Sequence, residues 1–355
     1  MQFKKFLRGT AALVLTGAIA LGVTACGGNS ASGSASAGGA AATDSTAAKA
    51  SDGQVVIYTN ADDEAVAAFK NALDNNGYKG KYILQGFGTS ELGGKLMAQG
   101  KDLDADLITM SSFYVDSAQE KNHMFQNLTD VKSKPLDTST PAYRAPTTSQ
   151  EGAIFYNTEV LKQENLPVPK SLKDLADPKY KDMISVPDMA GSSTGWLMVQ
   201  AIIDAYGEDQ GKTVLTDIYK NAGPHLEQSG SGPLKSVRSG EVAIGFGLRH
   251  QAVADKEKGL PIDFVDPTEG NFSLTESVAV IDKGDKTKPD AQKMAGIIID
   301  KGRAELIKTY PNPLYEGEKE AANHSQYPKT FKDPLTVDLH DKHQAFSDAC
   351  KQAAQ

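Results

Sequence analysis

The sequence predicts an α/β fold with mainly parallel sheets, arranged as two lobes, and three observations carry that expectation. Short apolar, β-branched runs alternate with helical patterns along the chain. The segments between them are small and hydroxyl-rich, as strand-to-helix loops often are. Residues 53–355, 303 in number, are too many for one small core. Val55-Val56-Ile57-Tyr58 reads as the first strand, and Asp62 to Leu73 as its helix, with Val66, Phe69 and Leu73 at helical spacing behind first-turn acids. The rhythm repeats with Tyr82 to Leu84 before Thr89 to Gln99, and with Leu107 to Thr109 before Ser111 to Glu120. It returns with Met183 to Val186 before Gly195 to Tyr206, and with Val242 to Ile244 before Gln251 to Lys258. No repeat of solenoid period interrupts it.

The amino-terminal segment reads as an export signal. Lys4, Lys5 and Arg8 precede Gly9 to Ala25, 17 residues without a charge. That run ends in Val23-Thr24-Ala25-Cys26 followed by two glycines, which resembles a bacterial lipobox. The resemblance implies removal of residues 1–25, lipidation of Cys26 and anchoring on the outer face of the cell membrane. Cys350 is then left without an intrachain partner. Residues 27–52 are almost wholly Gly, Ser, Ala and Thr, too poor in apolar bulk to order themselves, and read as a flexible tether.

Composition excludes several classes. With 37 basic against 45 acidic residues the formal charge is −8, and loss of the three cations before residue 26 takes it to −11, so phosphate-tracking nucleic-acid binding is not expected. Two cysteines, neither in a Cys-x-x-Cys pair, rule out a four-thiolate zinc site and dithiol redox chemistry. No cofactor is expected. His340 and His343 share a helix spacing that can hold a divalent metal, but two ligands do not complete a site, and a surface helix is the simpler expectation.

In open α/β sheets ligands collect beyond the carboxyl ends of strands. The candidate residues in those loops are Asn60, Thr89 and Ser90, Ser112, Ser192 to Thr194, and Ser231. Each sits at or near a predicted helix start, where free amides and a partial positive charge favour an anion. Read singly, any of them is an ordinary helix cap. Arg249, just past the strand ending near Phe246, is the candidate counter-charge.

With these pieces in place the chain resembles the solute-binding lipoproteins of ATP-binding-cassette importers, and within them the group that includes ferric-ion, 2-aminoethylphosphonate, sugar-phosphate and polyamine binders. The resemblance rests on residues 55–60, Ala105-Asp106-Leu107-Ile108, Phe155-Tyr156-Asn157-Thr158, Leu172-Lys173-Asp174-Leu175, Asp177-Pro178-Lys179-Tyr180, residues 240–245 and Pro267-Thr268-Glu269-Gly270. It implies a two-lobed periplasmic-binding-protein-like (type II) fold with a hinge, a ligand in the cleft, and a membrane permease as partner. Residues 53–150 and 277–355 would form one lobe and 151–276 the other.

Ferric-binding relatives use adjacent tyrosines where this chain reads Gly247-Leu248-Arg249-His250-Gln251. Their absence and the arginine favour a small oxyanion over iron(III), which remains an alternative. An organophosphonate such as 2-aminoethylphosphonate, or a phosphate ester, is the expected ligand. An ammonium on it would need a carboxylate, for which Glu269, Glu276, Asp62 and Asp63 are the candidates. Gly191-Ser192-Ser193-Thr194-Gly195 also fits the nucleophile elbow of serine hydrolases, with Ser193 as nucleophile and a base from a later histidine. Four residues intervene between strand and elbow, so binding without catalysis is the main reading. Trp196 is expected in a helix core.

Overall fold

The computed structural model describes residues 53–319 and 322–355, and the signal, Cys26 and tether read from residues 1–52 lie outside the described residues. β1 (Val55–Thr59) opens the body, with Val55 and Ile57 fully buried. α1 (Asp63–Leu73) follows, capped by Asp62, whose carboxylate accepts from the Ala65 amide at 3.0 Å. Its Ala65, Phe69 and Leu73 pack with β1 because they fall on one helical face. β2 (Tyr82–Gly86) leads to α2 (Thr89–Gln99), and β3 (Leu107–Ser111) to α3 (Ser112–Asn122). A short β4 (Phe125–Gln126) precedes the 14-residue β5 (Arg144–Asn157) and α4 (Thr158–Gln163).

The middle of the chain repeats the pattern. β6 (Ile184–Pro187) feeds α5 (Ser193–Ala222), β7 (Leu226–Glu227) feeds α6 (Gly232–Arg238), and β8 (Ile244–Leu248) feeds α7 (Arg249–Glu257). α5 is broken at Gly207, whose φ of +70° is open to glycine and costly for other residues. β9 (Ile262–Val265) and the 11-residue β10 (Asn271–Ile281) follow, then α8 (Pro289–Asp300), α9 (Arg303–Thr309), β11 (Pro328–Lys329) and α10 (Val337–Ala354).

The strands run in the order β2-β1-β3-β10-β5-β8-β6-β7. β1 pairs in parallel with β2 and β3, and β6 in parallel with β7 and β8. β10 and β5 are antiparallel to each other, to β3 on one side and to β8 on the other, so the curled sheet is mixed where mainly parallel pairing was expected. The reason is that these two long strands carry the chain from one half to the other and back. A register shift in their pairing falls between Glu276 and Ser277.

α10 lies against both halves. The Trp196 indole on α5 donates to Nδ1 of His343 at 2.8 Å, and the His340 ring stacks on Phe113 of α3 with centroids 5.5 Å apart. Both histidines are buried, not on a surface helix, and Trp196 is fully enclosed. The last turns of the chain, grouped in the sequence reading with the first lobe alone, thus also contact α5. Among the described residues no helix is long and apolar enough to cross a membrane.

Candidate functional site

A cavity of about 220 Å³ lies where the carboxyl ends of the parallel strands meet the starts of their helices. Asn60 to Asp62 enter it after β1, Phe87 to Thr89 after β2, Gly191 to Thr194 after β6 and Gln228 to Ser231 after β7. Leu248 closes the end of β8, and Gln150 of β5 and Glu276 of β10 line it from the two crossing strands. Among the described residues, no lysine, arginine or histidine lines it.

The cavity has two chemical faces. On one, the first turns of α2 and α5 meet, with Thr89 Oγ1 and Ser193 Oγ 3.4 Å apart. Ser192 caps α5 by accepting from the Thr194 amide at 3.2 Å, and the free amides of these turns present donors. Gly230 lets its loop come close, since a Cβ there would lie 2.2 Å from Thr194 Oγ1. On the other face the groups are acceptors. Asn60 donates from Nδ2 to Thr89 Oγ1 at 2.9 Å and to Glu276 Oε1 at 3.1 Å, and its buried Oδ1 has no partner among the described residues. Burial, reinforced by the Asp62 charge, pushes the Glu276 carboxyl up to about 8, against the opposing bond from Asn60.

A profile of the family described as bacterial extracellular solute-binding protein matches residues 104–335, more than half of the chain. The chain belongs to that family. The solute-binding protein is 25% identical over 269 residues to an uncharacterized protein of Haemophilus influenzae, covering 72% of this chain and 75% of that one. It is 26% identical over 245 residues to the spermidine/putrescine-binding periplasmic protein of Escherichia coli, covering 62% of this chain and spanning 66% of that relative's length. The periplasmic binding protein AfuA from Actinobacillus pleuropneumoniae, solved with fructose-6-phosphate, shares its fold at a TM-score of 0.65 and 21% identity, over 86% of this chain and 97% of that one. The fold is therefore the two-lobed type II fold of periplasmic binding proteins. The chain is the substrate-binding protein of an importer driven by an ATP-binding cassette, and its family is extracytoplasmic and made of transport proteins, not enzymes.

Of the residues singled out in the sequence, the solute-binding protein gathers Asn60, Thr89, Ser192, Ser193, Thr194 and Ser231 around the cavity. Four lie elsewhere. Arg249 is 5% exposed and spent: Nε and Nη2 grip Asp266 at 2.7 and 3.1 Å, while Nη1 and Nη2 donate to the carbonyls of Asn323 and His324. Its cation closes a loop instead of facing a ligand. Glu269 accepts from the amides of Leu172 and Lys173 at 3.0 and 2.9 Å and from the Tyr206 hydroxyl at 2.7 Å, so the carboxylate ties a turn together. Ser112 bonds Ser277 Oγ at 2.8 Å and lines a separate, larger cleft bordered by residues 330–335. Ser90 shares the first turn of α2 but turns to the Tyr114 hydroxyl.

Asp62 and Glu276, considered only as partners for an ammonium, both line the cavity, and Asp63 does not. Sequence reading missed Gln150, Gln228, Phe87 and Leu248. Strand-borne residues such as Gln150 carry no local signal, because only cross-strand pairing tells which residues of β5 reach the cavity. It also missed Glu64, and considered His250 only among the later histidines that could serve as a base, whereas these two with Asp62 form a group of metal-ligating type beside the cavity.

Proposed function

We propose that this receptor captures a small solute bearing both an oxyanion and an amine, and that 2-aminoethylphosphonate is the fitting member of that class. The observation that carries the reading is the opposition of the two faces. Helix-start amides and the hydroxyls of Thr89, Ser193, Thr194 and Ser231 suit a phosphonate, while Asn60 Oδ1 and Glu276 suit an ammonium. The relative that binds spermidine and putrescine and the neighbour solved with a sugar phosphate each represent one half of that pairing. In this proposal Glu276 takes the role for which Glu269 was first considered, and amides replace Arg249 as the anion's partners.

Closure would follow from contacts made at once to both sides of the cavity, with β5 and β10 as the hinge. The lobes we propose are residues 53–150 with 277 to about 335, and residues 151–276, with α10 bracing both. Cys26 would carry the lipid that holds the receptor beside its permease.

The test is a thermal-shift and calorimetric series on the full chain with 2-aminoethylphosphonate, methylphosphonate, inorganic phosphate, a sugar phosphate and putrescine. A ligand selective for the native state raises the melting temperature. The largest rise is expected with 2-aminoethylphosphonate, and a response confined to putrescine, or absent with every phosphonate and phosphate ester, would refute the reading.

A further inference from the structure

Beside the cavity, Asp62, Glu64 and His250 offer ligand atoms that all lie within 4.8 Å of one another. Two of these side chains belong to the start of α1 and the third to α7, so the group joins residues from the two sides of the cavity. Asp62 and His250 are each 4% exposed at the side chain, and Oδ2 of one lies 3.2 Å from Nε2 of the other. Yet the contact is out of line for a hydrogen bond, and among the described residues both atoms are left without a hydrogen-bond partner. Two orphaned polar atoms facing each other in a buried place are costly unless something sits between them.

We propose that Asp62, Glu64 and His250 form a binding site for a borderline divalent cation of the zinc class. Donors 3.2 Å apart, each roughly 2.1 Å from a shared metal, subtend about 100° there, close to a tetrahedral angle. One imidazole nitrogen with two carboxylate oxygens suits such an ion, and no phenolate or thiolate is among the donors. The remaining atoms of each ligand are already held. Asp62 Oδ1 accepts from the Ala65 amide at 3.0 Å and from the Tyr310 hydroxyl, and Glu64 Oε2 accepts from Gln251 Nε2 at 2.9 Å. The His250 ring packs against Tyr310 with centroids 4.4 Å apart. These outer partners leave Asp62 Oδ2 and the second oxygen of Glu64 for the ion, and they fix the ring's direction. Three protein donors leave one position for water or for an oxygen of a bound solute, and Asp62 itself lines the cavity. The bound ion would clasp α1 to α7 and supply the positive charge that none of the described side chains lining the cavity provides.

The experiment titrates the full chain, stripped with a chelator and dialysed, with zinc chloride by calorimetry and with cobalt(II) by visible absorption. One equivalent of zinc is expected to bind and raise the melting temperature, and cobalt is expected to show d–d bands of low coordination number. His250→Ala and Asp62→Asn should abolish this binding, and Tyr310→Phe should weaken it about tenfold. His225→Ala, whose imidazole pairs instead with Glu241, serves as the control and should bind normally. Circular dichroism and chelator-state melting establish that each variant is folded. Absence of saturable zinc binding in the parent chain, or binding that survives in folded His250→Ala, would overturn the proposal.

Discussion

Asn60 donates from Nδ2 to Oε1 of Glu276 at 3.1 Å, joining residues 216 apart in sequence across the floor of the cavity. One comes from the loop after the first strand and the other from the strand that carries the chain back. The carboxyl it reaches is fully buried and held near 8, so at neutral pH the empty site keeps it mostly protonated.

That carboxyl makes stability fall with rising pH. Unfolded, Glu276 titrates near 4.5, so between about 4.5 and 8 the folded chain holds a proton that the unfolded chain has lost. The stabilisation is complete below 4.5 and gone above 8, a change on the order of 5 kcal/mol. Glu276→Gln should therefore melt like the parent at pH 5 and several degrees above it at pH 9, measured in chelator without ligand. Parallel pH curves for the two proteins would sink this account.

Arg249 belongs to the scaffold. Removing it leaves the Asp266 carboxylate, 7% exposed, without its counter-charge and with only the Asn271 amide and the Gln326 backbone N–H as donors among the described residues. Breaking a buried pair costs about 3–5 kcal/mol, so Arg249→Ala should show a lower denaturation midpoint while the folded fraction keeps its ligand affinity within a few-fold. Calorimetry below the midpoint separates the two effects, and a selective loss of affinity would return Arg249 to the site.

Gly230 is required by contact, not by a special backbone angle. Its added Cβ would sit 2.9 Å from Thr194 Cβ as well as 2.2 Å from Oγ1, against the first turn of α5. Gly230→Ala should destabilise by about 1–3 kcal/mol and weaken ligand binding tenfold or more by displacing Thr194. Unchanged affinity in a folded variant would show that this turn is not used.

His343 sets an acid limit. Burial, aided by the Lys342 charge, lowers its affinity for a proton, and its Nδ1 must stay unprotonated to accept from Trp196. The unfolded imidazole takes up a proton near 6.5, so the stability present above that value is lost as pH falls below it. Trp196 fluorescence should report loosening of α10 as the pH drops from 7 to 5, and His343→Gln should flatten that response.

The sequence was informative where chemistry is local. Helix starts at Thr89 and Ser193 follow from capping and periodicity, and the loops they begin could be named before any contact was known. Arg249 misled because its partners, Asp266 and the carbonyls of residues 323 and 324, are brought to it only by folding. Glu269 misled in the same way, since a turn glutamate that caps Leu172 reads no differently from one that waits for a ligand. His340 and His343 show a three-residue spacing rule meeting a tertiary fact, because Phe113 and Trp196, from two distant helices, claim both rings.

The central place of β10 has a consequence for how the protein is made. β3 carries β1 on one edge and β10 on the other, yet β10 is synthesised some 160 residues after β3. Until it emerges, the amino-terminal part of the sheet ends in an open edge and cannot complete its hydrogen bonds. The amino-terminal half therefore depends on a strand that arrives late, and its sheet closes only once β10 has been made. Because β5 and β10 are shared by both halves, neither half can complete its sheet without the other.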